Sequence, residues 1–389
     1  MVRRSVVLVV LALLGAPAQA GGSGCDATRP SGPVGLPDSV FVTGACGTFA
    51  LRPDGIVEAV HPPAWAPPWA EDAQGRAEDG TYIARRRGHL VLIRDAETFW
   101  RSRLAHGSDE VVVHGNAIAF TGYVNNRPDV WAARAGGAEH LAGHGENLDG
   151  WARAGGFFTQ RANELRLRAP GTGRLLRHLA FVRSTAYDRA THTMVAITTS
   201  ELLVRTDGKR TTILADLVKV GFASFPSVQL LDNGLLAVQS DNRLLFLGPD
   251  GTRFASAALA RGSRGRPGAS ISSTFLPLPG ERGVVFVVNR RETRSGDGTD
   301  RVLLLERGHH VPRILYERGG TPLQCVYWVG LSLVGDRLLY ALSGTRTLVV
   351  VSLAGKPPLD LSAVVRSIPG FRAQHAAIDR AAWATRWND

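Results

Sequence analysis

The chain has 389 residues, a formal net charge of +11, 44 glycines and only two methionines, and nearly all of its basic charge is arginine. The basic residues run through the whole length instead of massing on one element, which disfavours a nucleic-acid interface and leaves acidic surfaces such as anionic cell-envelope polymers as candidates. Three cysteines without a Cys-x-x-Cys pair give no support to a redox or zinc motif.

In chain order, Arg3 and Arg4 precede the apolar run 6–14, and Pro17-Ala18-Gln19-Ala20 follows. Positive head, short apolar stretch and Ala-x-Ala end predict a signal peptide over 1–20, cut after Ala20. The run is well short of the ~20 residues a membrane span requires, and no later run is longer. The mature protein is therefore expected to be exported and soluble, secreted or periplasmic. An N-terminal arm (21–39) and one all-β domain (40–389) follow. Cys25 as a lipid attachment point is disfavoured, because Gly22-Ser23-Gly24 lacks the leucine-type residue that usually precedes such a cysteine. Export allows one disulfide. Cys25, Cys46 and Cys325 leave three pairings open, and Cys25–Cys46, tying the arm to the domain, is the one expected.

A pair of short apolar segments recurs about every forty residues. The first member reads 80–84 (GTYIA), 116–120 (NAIAF), 155–159 (GGFFT), 192–197 (HTMVAI), 234–238 (GLLAV), 283–287 (GVVFV), 337–341 (RLLYA) and 380–384 (RAAWA). The second follows after a polar turn, at 90–93, 130–133, 165–167, 202–204, 244–247, 302–305 and 348–351. Turns such as Asp207-Gly208 and Asp250-Gly251 come next, a strong hairpin signal because glycine takes positive φ without steric cost. Each unit carries about four strands, the content of one propeller blade. Segment 380–384 lacks a second member, and Phe49-Ala50-Leu51-Arg52 lacks a first. The two are expected to join in a closing blade shared by the chain ends, which leaves no free sheet edge. The fold class predicted is all-β, a β-propeller of about eight four-stranded blades, or seven if the pair within 155–168 is misread.

The loops between paired segments all emerge on one face in such a ring. They carry Arg86; Asn125, Asn126 and Arg127; Gln160 and Arg161; Gln239 and Asn242; Asn289 and Arg290; and Arg346. Tight turns account for the asparagines. They account poorly for the glutamines and arginines, so a polar, cationic recognition rim is expected. Trp65 and Trp69 in a stiff proline-rich stretch are a second binding candidate. The alternative is a blade connection whose indoles pack over the ring.

No catalytic residue, metal ligand or cofactor is expected. The stretch 268–272 fails as a nucleophile elbow at its last position. His140 and His144 lack the glutamate a zincin needs after the first histidine, and Gly143 suggests a loop. Residues 296–300 resemble part of a calcium loop without its terminal glutamate. The blade unit resembles the exported TolB-like and WD-like propellers of bacteria, on the pattern from Asp232-Asn233-Gly234 to Asp250-Gly251 and on Pro53-Asp54-Gly55 and Pro249-Asp250-Gly251. That resemblance implies binding of a protein or ligand at a propeller face and carries over no catalytic residue. The expected function is a monomeric, non-enzymatic binding or scaffold propeller for a protein or anionic envelope ligand. The alternative is a propeller hydrolase or lyase acting on a small molecule or saccharide.

Overall fold

The computed structural model describes residues 40–44, 47–51, 57–60, 73–76, 81–86, 89–94, 97–103, 110–124, 127–222, 226–240, 243–258, 269–291, 297–322, 329–342, 346–366 and 372–377. Among these the only α-helix is Ser362–Arg366, and no helix is long and apolar enough to cross a membrane. The strands form six four-stranded antiparallel sheets and one of seven strands.

The seven-stranded sheet divides at its middle strand, Leu175–Asp188. Its first half pairs with Glu164–Arg168, from Arg168↔Leu175 to Glu164↔Phe181. Its second half pairs with Thr193–Thr198, from Val182↔Thr198 to Asp188↔Thr193. The strand is thus the last of one unit and the first of the next, so the described residues form eight four-stranded units, counted here from the closing sheet. Unit four contains Phe157–Arg161 and Glu164–Arg168 in regular register, so the weak pair within 155–168 is a genuine hairpin.

The chain ends meet in one sheet, with one revision to the expected strands. Val42 lies opposite Phe49, so the N-terminal strand Val40–Gly44 occupies the place foreseen for 380–384. The C-terminal chain adds Arg372–Ala377 beside it, with Phe41↔Ala377 and Thr43↔Arg372. Three strands from one end and one from the other close the ring. Segment 380–384 lies outside the described residues, as do Asp54-Gly55 and the arginine-rich stretch 261–266.

First strands of neighbouring units pack on one another: Val329–Val334 against Arg372–Ala377, Ala269–Pro277 against Val329–Val334, and Leu175–Asp188 against Ser227–Leu230. They form the inner edge of a β-propeller, and the core fills the wedges between its sheets. In Gly283–Arg291 the two-residue period sends Val285 and Val287 into the wedge with Leu338 and Tyr340. It sends Val284, Phe286 and Val288 into the opposite wedge with Phe246 and Phe254. Both faces are buried, which is why these strands read as continuous apolar runs in the sequence.

Asp-Gly turns join the outer strands as expected. Gly251 has φ 88°. A Cβ there would lie 2.4 Å from the Leu214 carbonyl oxygen of the preceding sheet, so only glycine fits.

Two sequence expectations are revised. His140–His144 is a strand, not a loop. Four residues of strand separate its histidines by about 13 Å, too far to share a metal ion. Gly143 is present because a Cβ would strike the Glu146 carboxylate. Residues 297–300 likewise begin a strand, with Asp300 paired in register to Asn289.

Candidate functional site: the loop face between units three and four

The turns between second and third strands lie at one end of every sheet. Arg127 and Arg161 stand there in adjacent units, exposed, their guanidinium groups without a partner among the described residues. Gln160 is engaged: its Nε2 donates to the Ala162 carbonyl at 3.0 Å, and its Oε1 accepts from Thr185 Oγ1 at 3.1 Å. Arg346 donates to the Arg366 carbonyl at 2.8 Å. Gln239 is half-buried near the end of Leu236–Ser240. Arg86, Asn289 and Arg290 sit at the corresponding ends of Tyr82–Arg86 and Gly283–Arg291. Asn125, Asn126, Asn242, Trp65, Trp69, Cys25 and Cys46 lie outside the described residues.

Strand alternation identifies what faces what. Phe157 packs toward unit three and Phe158 toward unit five. Arg161 is in step with Phe157 and so is directed at unit three. Its register partner Glu164 shares that side, and so do Arg166 and Arg168 along the next strand. These side chains meet Glu146 on the crossover between units three and four. Glu146 is 1% exposed. Arg168 donates to it twice, Nε to Oε2 at 2.8 Å and Nη2 to Oε1 at 2.6 Å. Arg166 Nη1 adds a bond at 2.7 Å, and Arg168 Nη1 reaches the Gly173 carbonyl at 2.9 Å. Burial alone would raise the Glu146 pKa. The hydrogen bonds from Arg168 and Thr159 and the two guanidinium charges outweigh it and hold the carboxyl below its usual range.

Other carboxylates of this face are also engaged. Glu164 is held below its ordinary pKa by its hydrogen bond from Arg166, assisted by His178. Asp129 accepts from the Gly145 N–H at 3.1 Å and meets His144 Nδ1 at 3.2 Å. The acids are matched locally, while Arg127 and Arg161 are left as net positive charge.

Reasoning from the sequence missed two clusters. On the opposite face His114 stacks on Trp151, with ring centroids 4.7 Å apart and planes at 15°, and meets His192 edge-on at 6.3 Å. The Tyr187 hydroxyl accepts from the Trp151 backbone N–H at 3.1 Å and pairs with His192 Nδ1 at 3.0 Å. Three consecutive units supply these rings, so no local motif announces them. Gly150 makes the arrangement possible, because a Cβ there would lie 2.4 Å from the Tyr187 ring. Gly150→Ala is expected to destabilise the protein by about 1–3 kcal/mol, as overpacking does. Its melting curve and Trp151 emission check this, and an unshifted midpoint would contradict the packing. The second cluster is the carboxyl pair Asp149 and Glu110. Asp149 Oδ2 is sealed and has no hydrogen-bond partner. Burial first, then the Glu110 charge, pushes its pKa up to about 7.

No protein-family model matches the chain, and no curated protein does. Solved structures of similar shape include apo AztD from Citrobacter koseri, at 10% identity over 87% of this chain and 97% of that one, with a TM-score of 0.46. The β-propeller domain of Cps50 (Swd1) from Myceliophteria thermophila has 13% identity over 66% of this chain and 85% of that one, TM-score 0.35. Dihydro-heme d1 dehydrogenase NirN, in complex with DHE, has 12% identity over 88% of this chain and 79% of that one, TM-score 0.44. The propeller architecture rests on the sheets of this chain itself, and a fold of this kind assigns no activity.

Proposed function

We propose that the protein is an exported, non-enzymatic binding propeller that recognises an acidic protein surface or anionic envelope polymer at the loop face between units three and four. The observation that carries this is charge bookkeeping at that face. Glu146, Glu164 and Asp129 are taken up by partners, whereas Arg127 and Arg161 are exposed and uncompensated. Guanidinium groups on a rigid scaffold suit bidentate contact with carboxylate or phosphate and lose little entropy on binding. The backbones of Arg86 and Arg290 lie at the same ends of their sheets.

The test replaces Arg127, Arg161 and Arg290 together with alanine and measures capture from an anionic cell-envelope fraction at two salt concentrations. Capture is expected to fall about tenfold and to lose part of its salt dependence, with the melting temperature unchanged. Capture equal to the parent's would remove the loop face from consideration.

A further inference from the structure

Of the phenylalanine, tyrosine and tryptophan side chains that the structure describes, only two are exposed: Tyr123 at 46% and Phe181 at 66%. Both stand at the loop-face end of their sheets, and they line the same wedge from opposite walls. Tyr123 is in step with Ala119, which packs toward unit four, and the pairing of that strand runs without a break from Arg134↔Ala117 to Arg127↔Val124. Its ring is therefore directed at unit four. Ala180 and Val182 pack toward unit five, so Phe181 between them is directed at unit three. Neither ring belongs to the core cluster on its side of the strand, and packing does not account for them.

Phe181 is the register partner of Glu164, and Glu164 is the register partner of Arg161. From the inside outwards, unit four thus presents a guanidinium without a described partner, a carboxylate engaged by Arg166 and His178, and an exposed phenyl ring. Opposite them stand Tyr123 and its register partner Pro128. The crossover between the two units runs below, with the Glu146 N–H donating to the Pro128 carbonyl at 3.1 Å. The result is a cleft with one free positive charge and apolar surface on both walls.

We propose that this cleft holds an extended segment of a partner protein in which a carboxylate and a large apolar side chain lie a few residues apart. The inference rests on the loop-face reading above and narrows it to a protein partner. Arg161 takes the carboxylate, and the rings of Phe181 and Tyr123 take the apolar side chain. Two strand spacings separate Arg161 from Phe181, about 10 Å, which is about three residues of extended chain. Aromatic rings beside an arginine are the groups that dominate protein–protein contacts. Beyond Arg161 the cleft is neutral, because Arg166 and His178 offset Glu164, so a polymer charged on every unit gains a single contact there. A membrane takes apolar groups that project together from one plane, whereas these two rings face each other across a wedge.

The experiment selects peptides from a displayed random library with the parent protein, then measures binding of the enriched peptide to Phe181→Thr, Tyr123→Thr and Arg161→Ala. Enriched peptides are expected to carry an acidic residue and a large apolar one about two to four positions apart. Each variant is expected to weaken binding about tenfold, with the melting temperature unchanged, since all three side chains are exposed. Polygalacturonate is the charge-only probe, and its binding is expected to fall in Arg161→Ala and to stay at the parent's level in Phe181→Thr. No enrichment, enriched peptides without an apolar residue, undiminished peptide binding by Phe181→Thr, or tighter binding to phosphatidylglycerol vesicles than to the peptide overturns the proposal. If Arg161→Ala weakens both probes while Phe181→Thr weakens neither, this narrower inference falls alone. If Arg161→Ala weakens neither, the loop-face reading falls with it.

Discussion

Glu146→Gln lowers the stability of the protein at pH 7 by about 3–5 kcal/mol, the range for removing one partner of a buried ion pair. The loss exceeds the energy of the bonds themselves, because Arg166 and Arg168 stay behind with their charges. Arg168 is 6% exposed and has no other carboxylate to turn to among its described partners. Replacing all three residues with apolar ones of similar volume is expected to recover much of the loss, since desolvation of the charges then disappears too. The pH dependence has a definite sign. The folded pKa of Glu146 lies below its ordinary 4.5, so the ion pair's contribution is complete above about pH 4.5 and fades as pH falls through the folded value. Denaturant melts of parent and variant between pH 7 and 3 should therefore converge on the acid side. A variant within about 1 kcal/mol of the parent at pH 7 would show that the crossover between units three and four is held by something else.

Asp149→Asn works in the opposite direction. It is expected to stabilise the fold at pH 8 by on the order of 2–4 kcal/mol, the upper figure corresponding to the whole span between the two pKa values. The unfolded carboxyl ionises near 3.8 and the folded one near 7. The penalty is absent below pH 3.8, grows between the two values and is complete above pH 7. The advantage of asparagine should follow that course. A stability difference that does not vary with pH would mean that Asp149 has a partner in solution.

Much of the architecture was legible because a propeller is a local repeat. Strands buried on both faces read as apolar runs, as at 283–287 and 302–305, and the turns between them carry Asp-Gly at 207–208 and 250–251. The ring closure was legible in kind, since incomplete units at both ends imply that they combine. The choice of strands was not. Val40-Phe41-Val42 is as apolar as 380–384, and only pairing shows that it flanks Phe49, with Arg372–Ala377 beyond it. The loop face was foreseen as a set of turns, but not which of its groups would be engaged: Gln160 bonds Thr185 of the next unit, while Arg127 and Arg161 stay open.

Periodicity and turn chemistry, which act over a few residues, set the strands, the repeat and the circular plan. The Glu146 clamp, the Asp149–Glu110 pair and the His114–Trp151–His192 stack emerge only when sheets some forty residues apart in sequence are packed face to face. Their members are spread over separate units, and each looks unremarkable among its own neighbours. The bulge that turns Asp149 aside, the depth at which Glu146 is buried and the ring that Gly150 admits are all products of the wedge between sheets, where distance and desolvation decide how a side chain behaves.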